Sequence, residues 1–464
     1  MISFILNNES ITTDQPEGMT LLDFIRYHKD LKGTKIGCRE GDCGACTVLT
    51  GKLINEDVSY KSITSCITPL AAAAGCHVVT IEGINNDELT PVQQSVVEEG
   101  GTQCGFCTAG FIMSLTGSCI NINTEQEQII AAIDGNICRC TGYKSLERAA
   151  QRIADLMKEL PESGHIQWLS DKQIVPSYFN EIPQRLKQLM RVEQKFSGII
   201  TGGGTDLYVQ KHETMQESSI HHIGKSVDLN YIYEENNLIH TGASVTVEEV
   251  KNNAAYQKYF SEINNYLKLV SSTPIRNLAT MAGNFVNASP IGDMTIFYLA
   301  LNTELTLSHN GAKRKVYLKD FYKGYKILDK LPDEIIEEFI FPTPSPGTFF
   351  NFEKVSKRTH LDIASVNSAI SYQIENNLLF KVQLSAGGVF AFPLYLKETS
   401  QFLNNKPITV ETISSAISVV QSEIKPISDA RGSEQYKRKL LTRLFLAHFE
   451  RHFTPWQLKE LAEA

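Results

Sequence analysis

The sequence has no cysteine after Cys140, although ten cysteines lie in its first 140 residues. It also has no block of basic residues, and its apolar runs, such as Leu70–Ala74, are short. The missing basic block, together with a net charge of −8, argues against a nucleic-acid partner. The shortness of the apolar runs argues against a membrane span. Because Met1–Glu9 has neither a basic region nor an apolar core, we expect no signal peptide and a cytoplasmic protein.

The composition is that of an ordinary soluble protein, with 42% hydrophobic and 21% charged residues. At 464 residues the chain is too long for one core and predicts about three domains. Without a secretory signal, an even number of cysteines does not indicate disulfides. Cysteines crowded into one region indicate metal or cluster ligation, so the chain divides into a metal-binding front and a cysteine-free remainder.

The segment Gly37–Cys46 carries the strongest motif in the chain. Cys38, Cys43 and Cys46 follow a C-x4-C-x2-C pattern, and Cys66 follows on what the pattern predicts to be the next strand. This spacing is typical of a plant-type 2Fe–2S cluster. The glycines of the loop let backbone N–H groups approach the negatively charged cluster. Zinc is the alternative, but four-cysteine zinc sites usually pair their ligands as two C-x2-C motifs.

Residues 1–83 predict a small α+β ferredoxin around this loop. Thr20, with Asp23 three residues later, is expected to cap a helix. The expected elements are the strands Ser3–Leu6, Thr47–Leu49 and Val78–Ile81 and the helix Leu21–His28.

Residues 84–160 predict a helical domain with a second set of cysteine ligands. A C-x2-C pair begins an apolar helix, whose N-terminal dipole favours bound negative charge. A C-x-C pair precedes a further helix. Zinc is again the alternative, whereas Cys76 and Cys119 fit neither pattern and are interpreted as buried thiols. The second ligand set is Cys104, Cys107, Cys138 and Cys140.

The two motifs in this order resemble the molybdenum hydroxylase family, which includes xanthine dehydrogenases, aldehyde oxidases and carbon monoxide dehydrogenases. The resemblance implies a multidomain α+β protein that begins with a β-grasp 2Fe–2S ferredoxin domain and a helical-bundle 2Fe–2S domain. Gln103 and Cys140 match positions that touch the pterin in relatives.

A polar segment with three prolines, residues 161–190, is interpreted as a linker. After it, a strand Phe196–Ile200 is expected to lead into Gly202–Thr205. Consecutive glycines after a strand let backbone N–H groups approach a diphosphate, with Thr205 as a hydroxyl donor. A simple tight turn remains the alternative. The loop is not a Rossmann fingerprint, because Leu207 stands where its last glycine should be.

A second segment, Thr273–Asp293, resembles the family's flavin-binding sequence. The resemblance implies an FAD domain of the vanillyl-alcohol-oxidase (PCMH) type over residues 191–345. Ala282 replaces a usual glycine, Gly292 replaces a usual serine, and Val270 aligns where many relatives place an aromatic residue. The implied cofactor contacts are Ile199, Ile200, Thr201, Gly202, Gly203, Gly204, Thr205, Asp206, Thr280, Met281, Ala282, Gly283, Asn284, Asp293, Ile336 and Lys354.

Residues 346–464 resemble the family's C-terminal α/β flavoprotein domain, which places Lys354 near the flavin. The basic run within Ser428–Arg438 is expected to enter the final amphipathic helix and to form its solvated face.

The resemblance implies an electron conduit from a molybdenum–pterin site through both clusters to FAD, with NAD+ or oxygen as acceptor. No molybdenum domain is recognised, so a large molybdopterin-binding partner in a heterotetramer or larger assembly is expected. This arrangement resembles the small subunit of two-subunit bacterial xanthine dehydrogenases, which oxidise hypoxanthine and xanthine to urate. The alternatives are an aldehyde oxidase or other N-heterocycle hydroxylase subunit, a stand-alone NADH-dependent reductase, and a zinc-containing scaffold protein.

Overall fold

The computed structural model describes residues 1–189, 198–224 and 226–463. The chain forms two compact units, Met1–Gly224 with Ser272–Ala279, and Lys225–Ser271 with Thr280–Ala464. The start of the expected strand Phe196–Ile200 and the expected junction between residues 190 and 191 lie outside the described residues. No helix in the described ranges combines the length and the apolar character that a membrane span requires.

The first unit begins with a mixed five-stranded sheet. The strand Ile2–Leu6 is buried along its whole length and pairs antiparallel with one neighbour and parallel with the other. Thr20 caps the helix Leu21–Asp23 as expected, because its hydroxyl accepts the N–H of Asp23, and the turn continues as a π-helix through His28. The strand order is Glu9–Thr13, Ile2–Leu6, His77–Val79, Thr47–Ile54 and Asp57–Thr64.

Four α-helices follow the sheet, and two of them match the helices expected after the C-x2-C and C-x-C pairs. The central one, Thr108–Ile120, is buried from Gly110 to its end, which explains its continuous apolar character. Thr90 and Gln93 form a capping box at the start of the first helix. The four helices are Pro91–Glu98, Thr108–Ile120, Gln126–Ala132 and Lys144–Met157.

The segment interpreted as a linker is largely helical and contributes to the core. It contains the α-helices His165–Asp171 and Ile182–Gln188 and the 3-10 helix Ser177–Glu181. Phe179 packs into the core of the helical region, and Ile182 packs against Ile5 of the sheet. Phe179 and Ile182 therefore anchor this otherwise polar segment to the core. The domain boundaries remain predictions.

The rest of the first unit contains a parallel strand pair and three short helices. The strand Ile199–Thr201 pairs with Ile220–His222. The short helices are Leu207–Gln210, His212–Gln216 and Thr273–Arg276.

The second unit contains an antiparallel five-stranded sheet and a two-stranded hairpin. The sheet order is Ala312–Tyr317, Glu304–His309, Ile335–Pro342, Leu238–Gly242 and Ile232–Glu235, and the hairpin pairs Tyr322–Gly324 with Ile327–Leu328. The α-helices of this part are Val247–Asn252, Ala254–Tyr259, Ile263–Lys268, Met281–Asn287, Asp293–Leu299 and Leu318–Phe321.

A four-stranded antiparallel sheet and a layer of helices complete the second unit. The sheet order is Phe349–Val355, Val366–Glu375, Leu378–Gly387 and Leu394–Tyr395. The helices are Lys397–Leu403, Val410–Glu423, Glu434–Ala447 and Pro455–Glu463, so the helix expected to be the final one is followed by another.

The interpretation of the basic run as a solvated helix face is wrong for Lys437. Its side chain is 3% exposed, and its Nζ lies 2.7 Å from a carboxylate oxygen of Asp429 and 3.0 Å from the carbonyl oxygen of Ile427. An acidic partner eight positions earlier in the chain allows this lysine to be buried.

Candidate cluster and flavin sites

The plant-type loop is built for sulfur ligands that carry negative charge. The N–H groups of Glu40 and Cys43 point at the Sγ of Cys38, at 3.3 and 3.4 Å, and the N–H of Cys38 points at the Sγ of Cys43 at 3.4 Å. Such N–H···S contacts stabilise thiolates that hold an iron–sulfur cluster. The donor arrangement of the loop therefore fits a cluster.

Close packing around the sulfurs explains the first glycine of the loop. A Cβ at Gly37 would lie 2.5 Å from the Sγ of Cys43, so no other residue fits without displacing this ligand. Gly41 and Gly44 adopt positive φ angles of 80° and 68°, which turn the backbone around the cysteines.

The four thiols of this site interact closely enough to shift one another's ionisation. The contact between Cys38 and Cys43 lowers the pKa of Cys38 and raises that of Cys43. In the same way, the contact between Cys46 and Cys66 lowers the pKa of Cys46, while contacts with Cys38 and Cys46 raise that of Cys66. The predicted ligands Cys38, Cys43, Cys46 and Cys66 thus converge on one site.

Cys66 lies one turn beyond the place that the sequence predicts. The strand Asp57–Thr64 ends before it, and Cys66 lies in the 3-10 helix Ser65–Ile67. The Ser65 hydroxyl donates to the carbonyl oxygen of Cys46 at 2.7 Å, which holds the turn against the loop. The turn redirects Cys66 from the sheet toward the other ligands.

The helical ligands lie where helices begin. Cys107 is the N-cap of Thr108–Ile120, and Cys138 and Cys140 come directly before Lys144–Met157. The N–H and hydroxyl of Thr141 point at the Sγ of Cys138 at 3.4 and 3.2 Å. Although burial raises the pKa of Cys138, these donors lower it overall. This region therefore also favours a thiolate.

The helical site pairs its remaining cysteines at short distances. The Sγ atoms of Cys104 and Cys140 are 3.6 Å apart, and contact with Cys104 raises the pKa of Cys140. Burial, with a contact to Cys138, raises the pKa of Cys107 to about 12. Within the described residues, no three His, Cys, Asp or Glu side chains are arranged around a single metal ion.

The outer edge of the helical site faces solvent. Cys104 and Cys140 are exposed, as is Gln103, the other residue that the resemblance relates to the pterin. Phe106 beside them is 47% exposed. The predicted pterin contacts are thus accessible, and their role remains a prediction.

The two ligand loops touch each other directly, which the sequence did not indicate. The N–H of Ile137 donates to the carbonyl oxygen of Cys43 at 3.0 Å, and the amide of Asn136 donates to that of Gly44 at 3.1 Å. A Cβ at Gly44 would lie 2.2 Å from the carbonyl oxygen of Gly135. Only the requirement for glycine at this position could have hinted at the contact.

The first predicted flavin segment presents unpaired backbone donors. Among the described residues, the N–H groups of Gly202, Gly203, Gly204 and Thr205 have no acceptor. Such a row of donors fits a diphosphate. A Cβ at Gly203 would lie 1.9 Å from the carbonyl oxygen of Leu278, so this backbone packs closely on its other side. Ile199, Ile200 and Thr201 form the preceding strand, and Asp206 follows the loop.

The second predicted flavin segment is a capped helix in the second unit. The hydroxyl of Thr280 accepts the N–H of Gly283 at 3.1 Å, while Met281 and Ala282 are buried in the first turn. The amide oxygen of Asn284 accepts both the N–H and the hydroxyl of Thr295, at 3.0 and 2.8 Å. The amide oxygen of Asn284 is therefore already engaged, and only its amide N–H groups remain to contact a ligand.

Asp293 and Lys354 form a buried ion pair. The Nζ of Lys354 lies 2.7 Å from Asp293, donates to the carbonyl oxygen of Leu269 at 2.7 Å, and belongs to a side chain that is 2% exposed. Asn367 donates to the other carboxylate oxygen at 2.6 Å, and its own amide oxygen is buried without a donor among the described residues. Such an orphaned acceptor fits a cofactor N–H.

Two further residues of the flavin prediction are buried in the protein core. Ile336 is 2% exposed and pairs with Leu307 in the antiparallel sheet, and Val270 is 7% exposed. Their contacts with a flavin remain predictions.

A cleft of the second unit is lined by other residues. It has a volume of about 620 Å³ and is lined by Tyr259, Tyr266, Phe349, Glu353 and Arg451 among others. Burial raises the pKa of Glu353, which directly precedes Lys354 on the same strand. None of the predicted flavin contacts lines this cleft.

Four sequence families match the chain in the predicted order. Residues 4–71 match the 2Fe-2S iron-sulfur cluster binding domain, residues 80–151 the second 2Fe-2S binding domain, residues 176–344 the FAD binding domain in molybdopterin dehydrogenase, and residues 352–451 the CO dehydrogenase flavoprotein C-terminal domain. The chain belongs to the molybdenum hydroxylase family. The predicted multidomain α+β architecture with two 2Fe–2S domains and an FAD domain is confirmed.

Curated members of the molybdenum hydroxylase family resemble the chain over most of its length. It is 29% identical to a xanthine dehydrogenase of Emericella nidulans over 88% of this chain and 35% of that protein. It is 28% identical to a xanthine dehydrogenase of Dictyostelium discoideum over 96% of this chain and 40% of that protein. The chain thus spans well under half the length of these relatives.

A solved structure of the family shares the fold of part of the chain. The carbon monoxide dehydrogenase of Hydrogenophaga pseudoflava, in a form that lacks the Mo-pyranopterin moiety, matches with a TM-score of 0.51 and 21% identity. The match covers 53% of this chain and 86% of the solved one. At this identity the likeness concerns the fold alone.

Proposed function

We propose that the chain is the electron-transfer subunit of a cytoplasmic xanthine dehydrogenase. It would carry electrons from hypoxanthine or xanthine, oxidised at a molybdenum–pterin site of a large partner subunit, through two 2Fe–2S clusters to FAD and then to NAD+ or O2. The family matches and the similarity to xanthine dehydrogenases support this proposal.

The observation that carries the proposal is the direct link between the ligand loops. Cys43 belongs to the plant-type ligands, and its carbonyl oxygen accepts the N–H of Ile137, the neighbour of the helical ligand Cys138. One hydrogen bond therefore joins the backbones of ligands from two sites. Because electron tunnelling weakens steeply with distance, such a contact favours transfer between the two sites over independent structural roles.

Different residues of the chain would bind each cofactor. Cys38, Cys43, Cys46 and Cys66 would hold one cluster, and Cys104, Cys107, Cys138 and Cys140 the other. Within the first unit, the Gly202–Thr205 donors fit a diphosphate. Within the second unit, Asp293, Lys354 and Asn367 present polar groups that fit a flavin. When bound, each cluster carries one electron at a time, whereas the flavin stores two and can transfer them as hydride.

The exposed edge of the helical site supports a partner at that surface. Phe106, Ile137 and Tyr143 are between 38% and 47% exposed beside the ligands Cys104 and Cys140. Apolar side chains grouped around an accessible redox site are typical of a protein interface. In the proposal, the large molybdopterin-binding subunit covers this edge in a heterotetramer or larger assembly, and Gln103 and Cys140 contact its pterin.

The proposal is tested on protein purified from the native host with whatever subunit accompanies it. We expect about four iron atoms and one FAD per chain, no zinc, and a large molybdenum-containing partner. The complex should reduce NAD+ or O2 when xanthine is added. If only an aldehyde or another N-heterocycle were oxidised, the chain would be a subunit of an aldehyde oxidase or of another N-heterocycle hydroxylase instead.

Two other outcomes would contradict the proposal. Iron and FAD with no partner, together with NADH-driven reduction of a dye, would indicate a stand-alone reductase. Zinc without flavin would exclude electron transfer altogether.

A further inference from the structure

One short segment of the first unit, Ser272–Ala279, contacts three of the proposed cofactor loops. Its helical turn Thr273–Arg276 lies beside the residues that lead to Cys138. The proposed function accounts for the cysteines and glycines of those loops but gives this segment no role.

The contact with the helical cluster region is centred on Asp134. One carboxylate oxygen of Asp134 accepts the N–H of Thr273 at 2.9 Å, and the other accepts the Thr273 hydroxyl at 3.0 Å and a guanidinium N–H of Arg276 at 3.1 Å. The Arg276 side chain is 2% exposed. A buried guanidinium requires its carboxylate partner, so this pair fixes the position of Asp134.

The residues after Asp134 transmit this position to the plant-type loop. A Cβ at Gly135 would lie 2.8 Å from the ring of Pro274, so the backbone here packs directly on the segment. The next two residues, Asn136 and Ile137, donate to the carbonyl oxygens of Gly44 and Cys43. Four consecutive residues before Cys138 therefore connect the segment to the link between the clusters.

The same segment also contacts the plant-type loop and the glycine loop. The Ile275 side chain lies 3.4 Å from the Cβ position of Gly41, and the amide of Asn277 donates to the carbonyl oxygen of Ser62 at 2.9 Å. The carbonyl of Leu278 packs against Gly203. One segment thus touches the surroundings of both clusters and the backbone of the proposed diphosphate loop.

We infer that Arg276 and Asp134 are positioning residues, which hold the stretch from Asp134 to Ile137 against the plant-type loop and so set the spacing of the two clusters. The inference rests on the proposed function, because it concerns transfer between two bound clusters. Neither residue touches a cysteine ligand in the contacts described above, so both act through the backbone between them and Cys138.

The test uses the purified holoenzyme and three variants. Asp134→Asn keeps the shape of the side chain but removes its charge. Arg276→Lys keeps the charge but loses the planar fork of donors. Thr273→Val removes one hydroxyl donor with little change in shape, and it supplies the answer if Asp134→Asn does not fold. Glu147→Gln, which removes half of the exposed Lys144–Glu147 pair in the same unit, is the matched control.

Two measurements separate positioning from mere stability. The first is the magnetic coupling between the two reduced clusters, seen as splitting of their electron paramagnetic resonance signals. The second is the rate at which an electron equilibrates between them after rapid photoreduction. We expect Asp134→Asn to change the splitting and slow equilibration about tenfold or more, Arg276→Lys and Thr273→Val to do so less, and Glu147→Gln to change neither.

The inference would be overturned by variants that keep their iron and melt at a lower temperature, yet retain the wild-type splitting and rate. That result would leave the ion pair a structural role only. The proposed function is judged separately, because it requires two distinct cluster signals in the wild-type protein before any variant is compared.

Discussion

The two cysteine sites of the first unit differ in their access to solvent. Cys46 and Cys66 of the plant-type site are each 2% exposed, because the sheet and its following turn close around them. Cys104 and Cys140 of the helical site are exposed, because they lie in loops that precede helices. Under the proposed function, the buried site would serve transfer within the chain, whereas the open site would face the partner subunit.

Replacing one ligand in each site should give the largest contrast. We expect Cys66→Ser to remove the plant-type cluster and to lower the free energy of unfolding strongly, because a buried ligand couples cluster binding to folding. Cys104→Ser should remove only the helical cluster, with a small loss of stability. Both variants should fall from about four to about two irons per chain, and denaturant unfolding should distinguish them. Equal losses of unfolding free energy would contradict the comparison.

A methyl group between the two sites should have the next largest effect. Gly44 has a φ of 68°, and a Cβ there would overlap the Gly135 carbonyl, so Gly44→Ala should cost about 3 kcal/mol of stability. Gly105 has a similar φ of 79° but no atom within 4 Å of its Cβ position. Gly105→Ala should therefore cost only about 1 kcal/mol. Similar denaturation midpoints for the two variants would show that the loop contact carries little energy.

The rate of iron removal should be higher at the more exposed of the two sites. A chelator under reducing conditions should take iron from the helical site about tenfold faster than from the plant-type site, because solvent reaches Cys104 and Cys140 directly. The two cluster signals can be followed separately by electron paramagnetic resonance. Faster loss of the plant-type signal would reverse the comparison.

The smallest expected effect concerns the apolar residue at the open edge. Phe106→Ser should weaken binding of the proposed large subunit about tenfold while iron content stays unchanged. Ile54→Ser is the matched control, because Ile54 is equally exposed, at 52% against 47%, on a hairpin of the same unit. Affinity measured by titration of the separated subunits checks this prediction. Equal affinities for the two variants would place the partner elsewhere.

The cluster ligands could be predicted because their spacing is local. Cysteines two to five positions apart must lie together, and the helices that begin at Thr108 and Lys144 follow from their apolar residues. Cys66 was placed on a strand because the 3-10 turn that redirects it leaves no periodic pattern.

The contacts that join distant segments could not be predicted in this way. Arg276 pairs with Asp134 and Lys437 with Asp429, and in each case only the folded chain shows that a basic residue is buried. The helix His165–Asp171 was missed because the prolines and polar residues around it outweigh its few apolar positions. Charge and proline indicate exposure on average, but a single well-placed partner overrides them.

The helix Asp293–Leu299 begins at Gly292, which has no side chain to cap it. Asn284 supplies that cap from another helix by accepting the N–H of Thr295, and a Cβ at Gly292 would lie 3.3 Å from the same amide oxygen. Residues 284 and 292 are therefore coupled in space, because the first supplies the cap that the second lacks. Where a homologue places serine at 292, the helix can cap itself, and its Asn284 oxygen becomes available to a ligand.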